Sequence, residues 1–152
     1  MSHSPMALAL RAAILDLRQD YLSRGISLYD IGSGHCYDFA ETVMEQVFGT
    51  DWLFREGQEG WRTLETEQFY RPPPGSHCTI DATAWDWDLL ETHWGIDIPP
   101  SERPRYDAIV IQGPSHGWIY LEGRHYDCEH PDGVESFFDL NFFRRWLEMA
   151  PQ

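Results

Sequence analysis

Basic residues are scarce in this chain. Eleven Lys and Arg stand against 25 Asp and Glu, giving a formal net charge of −14 at pH 7. So acidic a surface repels a phosphate backbone. It argues against nucleic-acid binding and favours basic or cationic partners, or simply solubility. Cysteine is sparse as well: there are three, Cys36, Cys78 and Cys128. An odd, scattered set makes no disulfide framework and suits a reducing compartment such as the cytoplasm. Long apolar runs are missing. Ala7 to Leu10 is apolar, but Arg11 interrupts it, so neither a signal peptide nor a membrane span is expected. No internal repeat and no low-complexity tract breaks the chain.

Aromatic residues, by contrast, are plentiful. They make up 14% of the chain, with seven Trp, inside a hydrophobic share of 42%. That is a globular composition, and 152 residues suit one domain with an adequate core.

Hydrophobic spacing predicts a first helix over Pro5 to Arg24. Leu10, Ile14, Leu17 and Tyr21 form its apolar face, Pro5 lies in its first turn and Gly25 at its C-terminal cap. Ile26 to Ile31 reads as a linker into a tight turn, Gly32-Ser33-Gly34. Phe39, Ala40, Val43, Met44 and Val47 then recur at helical spacing up to Gly49. Cys36 falls in the first turn of that second helix, on the stripe of Ala40, Val43 and Val47. There the helix dipole and unpaired backbone N–H groups favour a thiolate. The alternative for Cys36 is a half-buried core cysteine.

Residues 50–105 carry less pattern. Asp51 to Tyr70 mixes aromatics with acids, Pro72 to Gly75 is a rigid loop, and Thr83 to Trp94 fits a helix closed by Gly95. The region reads as an insertion or a lid. Tyr106 to Gln112 is apolar and β-branched, and predicts a buried strand stopped by Gly113-Pro114. His116 to Leu121 predicts a second strand, Glu122-Gly123 a hairpin turn, and Arg124 to Cys128 the returning strand. Phe137 to Met149 predicts a final amphipathic helix, capped by Asp139 or Asn141, with Phe142, Phe143, Trp146 and Leu147 as its apolar residues.

The hairpin brings His116 and Asp127 close across the ladder, near enough for a carboxylate to orient an imidazole as general base. Cys36 would supply the nucleophile. His125 alternates with Asp127 and is a candidate for the same cleft, and Glu129 shares the alternation. Cys on a helix start, His on a strand and Asp on the next resembles the papain-like cysteine peptidase superfamily, in the compact form of NlpC/P60-type and transglutaminase-like domains. The residues that carry this are Gly34-His35-Cys36-Tyr37-Asp38-Phe39-Ala40, His116-Gly117-Trp118-Ile119 and Gly123-Arg124-His125-Tyr126-Asp127. Together with Glu129, Pro131 and Gly133-Val134, the last block also resembles small papain-like proteins of bacteria and phages.

The resemblance implies a single α+β domain over 1–152. N-terminal helices would bring the nucleophile to a helix N-terminus, packed on an antiparallel sheet and closed by a C-terminal helix. It implies Cys36 as nucleophile, His116 as base and acid, and Asp127 as the orienting residue. It also implies an oxyanion hole. The Cys36 backbone N–H is one donor. Where papain places a Gln shortly before its nucleophile, this chain has Tyr29 and Asp30, so the second donor is open. The expected function is a thiol hydrolase acting on an amide or isopeptide bond of a peptide or small amide. It needs no cofactor, and an acyltransferase would use the same residues. Two other classes compete. His35-Cys36, His77-Cys78 and the group His125, Cys128, His130 are good zinc ligands, though without CxxC or HxxxH spacing. An acidic, non-catalytic interaction protein is the other.

Overall fold

A computed structural model describes residues 4–48, 61–63, 76–79, 87–111 and 116–149. The chain is α+β. Helix α1 (Pro5–Ser23) starts where Ser4 Oγ accepts the Ala7 N–H at 3.0 Å. It ends before Gly25, whose φ of +83° lets the chain turn away. Its predicted face is the buried one: Leu10, Ile14 and Tyr21 lie in the core, with Leu17 partly covered.

Next comes a helix that the spacing did not predict. α2 (Leu28–Gly34) occupies the supposed linker and the glycine turn. Its cause is local. The Ser27 side chain accepts the Asp30 N–H, and the Asp30 carboxylate takes the Ser27 N–H, a reciprocal cap that starts a helix at once. Gly32, Ser33 and Gly34 are therefore helical, and the chain bends instead at His35. Helix α3 (Cys36–Phe48) follows as expected, burying Phe39, Ala40, Val43 and Met44.

Within residues 50–105, two short strands are described, β1 (Trp61–Thr63) and β2 (Ser76–Thr79). The proline loop at 72–75 and the start of the helix expected from Thr83 lie outside the described residues. Helix α4 (Trp87–Trp94) closes at Gly95, φ +66°. The buried strand expected over Tyr106 to Gln112 is instead helix α5 (Arg103–Ile111), with Gln112 outside the described residues. A short apolar run fits either period, and tertiary contacts decide. Pro104 sits in the first turn, where its missing N–H costs nothing. The Tyr106 ring meets Phe138 at 4.7 Å, Asp107 accepts the Trp87 indole N–H at 3.0 Å, and Arg105 donates to the Leu147 carbonyl at 3.0 Å.

The sheet runs β1-β2-β3-β4, with β3 (Gly117–Leu121) and β4 (Arg124–Tyr126) forming the expected hairpin. β2/β3 and β3/β4 are antiparallel, whereas β1/β2 is parallel, so the sheet is not purely antiparallel. Glu122 and Gly123 turn the hairpin with φ of +51° and +84°, the signs of a type I′ turn. β4 stops at Tyr126, two residues short of the expected end at Cys128. A loop then returns until Val134 bridges His125.

β3 is buried on both faces. Trp118 and Tyr120 pack into one apolar cluster with Leu90, Phe137 and Phe143. Ile119 and Leu121 pack into the other, with α1 to α3. The single expected C-terminal helix is split. A 3₁₀ turn (Phe137–Asp139), capped by Ser136, precedes α6 (Asn141–Met149). Neither Asp139 nor Asn141 caps α6 with its side chain as expected. Instead the His130 Nε2 accepts the Asn141 backbone N–H at 3.0 Å.

Gly133 carries φ +77°, and a Cβ there would meet the Tyr126 ring at 2.8 Å, whereas Gly123 has open space around it. Gly133→Ala should cost about 2–4 kcal/mol, and Gly123→Ala only about 1–2 kcal/mol. Urea unfolding midpoints of the two variants check the difference.

Candidate active site

Three distant residues meet at the end of β3. Cys36 opens α3, His116 directly precedes β3, and Asp127 directly follows β4. His116 Nε2 and Asp127 Oδ2 are 3.2 Å apart. The sequence placed these two directly opposite one another. The ladder pairs Ile119 with Tyr126 and Tyr120 with His125, a register that continued past β4 would set Glu129 against His116. Asp127 therefore reaches His116 diagonally, a span that longer side chains cover. The Gly117 backbone N–H donates to Cys36 Sγ at 3.4 Å. A donor aimed at sulfur favours the thiolate, as does the start of α3.

The site is dry. His116 is 1% exposed, Asp127 6% and Cys36 6%. The His116 ring lies flat on Phe142, centroids 4.2 Å apart, with Phe143 edge-on at 6.0 Å. Burial alone would push the imidazole towards the neutral form. The hydrogen bond to Asp127, then the Cys36 side chain, outweigh it and raise the His116 pKa from 6.5 to about 9. The ring's Nδ1 is buried with no hydrogen-bond partner among the described residues. Since Nε2 is held by Asp127, Nδ1 is the nitrogen left to exchange a proton with the thiol. Asp127 is held in turn, because its Oδ1 accepts the Glu129 N–H at 3.0 Å.

The enclosed space beside the sulfur, lined by Cys36, Phe39, His116, Ile119, Tyr126 and Asp127 among others, is about 10 Å³. That holds about one water molecule. An acyl group is larger than this space.

Other residues singled out in the sequence lie elsewhere. His125 shares the sheet face of Asp127 but does not line the cleft. It is buried in the core, and its Nδ1 accepts the Trp118 indole N–H at 2.8 Å. Cys128 is buried against α2, its Sγ donating to the Leu28 carbonyl at 3.5 Å. Burial, with Asp127 and Glu129 nearby, pushes its thiol pKa up. His35 is half-buried, edge-on to Tyr21. His77 and Cys78 lie in β2. Among the described residues no three His, Cys, Asp or Glu side chains are arranged to hold a metal ion. Neither residue expected near the oxyanion hole is aimed there: Asp30 caps α2, and Tyr29 is 58% exposed beneath the Arg145 guanidinium. The donor that the sequence reading missed is Gly117. No local signal marks it, because every residue but proline carries a backbone N–H and only the fold sets this one on the sulfur.

Compared with known family models, curated proteins and solved structures, the chain matches none. No helix among the described residues is long and apolar enough to cross a membrane.

In a two-dimensional NMR titration His116 should ionise near pH 9, far above the ordinary 6.5. Asp127→Asn removes the main raising influence and leaves burial, so the midpoint should fall steeply. The linkage sign follows for the imidazole alone. A raised folded pKa contributes stability that is full below pH 6.5 and is lost as pH rises towards 9. Urea unfolding of Cys36→Ala, which removes both the thiol's own titration and its raising influence on the ring, should show this loss setting in above pH 6.5 and finishing below pH 9.

Proposed function

We propose that the protein is a papain-like thiol hydrolase acting on an amide or isopeptide bond. The observation that carries this reading is the buried Asp127–His116 pair beside a cysteine at a helix start, with the Gly117 N–H on its sulfur. In the proposed cycle the Cys36 proton passes to His116, and the thiolate attacks the substrate carbonyl. The imidazolium gives that proton to the departing amine as the C–N bond breaks, leaving an acyl group on Sγ. Water then attacks with His116 as base, and the acid leaves as the thiol is restored. Asp127 keeps Nε2 engaged, so Nδ1 does both transfers. If an amine replaces water in the second half, the same residues make an acyltransferase.

The closed space at the sulfur supports a second reading, a non-catalytic protein in which these three residues are a buried polar core. One experiment separates the two. Alkylation by iodoacetamide, mapped by mass spectrometry at each cysteine, should be fast at Cys36 at a pH well below the free-thiol pKa of about 8.5. Cys128, buried and with its pKa raised, should stay unreactive. His116→Ala should abolish the advantage of Cys36. An activated ester such as p-nitrophenyl acetate should leave an acetyl group on Cys36 alone. Cys36 reacting no faster than Cys128 would retire the hydrolase reading in favour of the polar core.

A further inference from the structure

The loop carrying Asp127 lies beyond the end of β4, so the sheet does not fix its course. Three helices hold it: Arg18 of α1 donates to the Cys128 carbonyl at 3.2 Å, the Leu28 carbonyl of α2 accepts from the Cys128 thiol, and α6 holds Glu129. Glu129, whose N–H holds Asp127 Oδ1, places its carboxylate against Arg145 of α6. Both oxygens are used, with NH1 to Oε1 at 3.0 Å and NH2 to Oε2 at 2.9 Å. This two-point geometry fixes the orientation of the partner as well as its charge. The pair is well shielded, with side-chain exposures of 31% for Arg145 and 12% for Glu129. The same guanidinium lies 5.1 Å from the centroid of the Tyr29 ring, and its NH2 would lie 3.8 Å from a Cβ at Gly32. Tyr29 and Gly32 belong to α2, the helix that leads into Cys36. Gly32 also lines the space at the sulfur. One cation therefore touches both the segment that delivers the nucleophile and the segment that delivers the orienting carboxylate.

We infer that Arg145, acting through Glu129, is a positioning residue that sets the Asp127 carboxylate on His116 and registers α2 against it. This rests on the hydrolase reading for its catalytic meaning, but not for its geometry. Neither side chain touches the reacting sulfur. The role is to keep Oδ2 within reach of Nε2.

The test uses the full chain with Arg145→Met, Arg145→Lys and Glu129→Gln, and reads two quantities. These are the Cys36 alkylation rate at pH 6 and the NMR titration midpoint of His116, while Cys128 reports that the variant is folded. A displacement of about 1 Å remote from the chemistry can cost on the order of a hundredfold. Arg145→Met and Glu129→Gln should therefore slow Cys36 at least about tenfold and lower the His116 midpoint, with Cys128 still protected. Arg145→Lys, which keeps the charge but not the two-point grip, should fall between these and wild type. An unchanged rate and midpoint with Cys128 protected would overturn the inference. If Arg145→Met exposes Cys128, Glu129→Gln decides by the same two results. If wild-type Cys36 is itself no faster than a free thiol, the hydrolase reading fails on its own. The His116 midpoint then still decides the positioning role: unchanged in the variants, it overturns it; lowered, it supports it.

Discussion

A histidine and an aspartate buried together constrain everything near them. Ionised groups taken out of water cost several kcal/mol each unless partners replace the lost hydration. Here the replacements are specific. Asp127 has one oxygen on His116 and the other on the Glu129 N–H, and the His116 ring is covered by Phe142 on its face and Phe143 at its edge. For that cover to exist, α6 must lie along one face of β3. For the thiol to face the ring, α3 must begin at the end of the same strand. The buried pair thus ties the positions of α3, α6 and β3 to one another.

β3 does the dividing. Alternation along a strand sends His116, Trp118 and Tyr120 to the aromatic cluster under α6, and Ile119 and Leu121 to the cluster under α1 to α3. The candidate site lies at the seam between them, with the imidazole from one side and the cysteine from the other. A site at such a seam can change shape when either cluster shifts. The space enclosed there is about 10 Å³.

How legible the chain was depended on how local each cause is. The face of α1, the start of α3 at Cys36 and the type I′ hairpin at Glu122-Gly123 follow from spacing and turn chemistry within a few residues. The choice of Cys36, His116 and Asp127 rests instead on the hairpin together with the family resemblance, and the fold brings the three residues together. The α2 helix is also local in cause: glycines 32 and 34 read as a turn because glycine is a poor helix former, yet the Ser27/Asp30 cap starts a helix through them. The Tyr106 to Gln112 run is different in kind. Its β-branched residues suit a strand, but Tyr106 to Ile111 lie in helix α5, whose Arg105, Tyr106 and Asp107 contact Leu147, Phe138 and Trp87, as many as 42 positions away. His125 was ambiguous for the same reason. Alternation put it on the right face, but the Trp118 indole and Phe137 bury it in the core instead of the cleft.

The sequence by itself determined which segments are amphipathic, where the hairpin turns, and which thiol stands at a helix start. These depend on side-chain periodicity and backbone preference, both written in adjacent residues. Tertiary structure alone decided that Asp127 meets His116 diagonally, that the Gly117 N–H lies on the sulfur, and that Arg145 grips Glu129 from 16 positions away while lying over Tyr29. Hydrogen bonds and ion pairs act over about 3 Å in space with no regard for distance along the chain, so no local pattern encodes them.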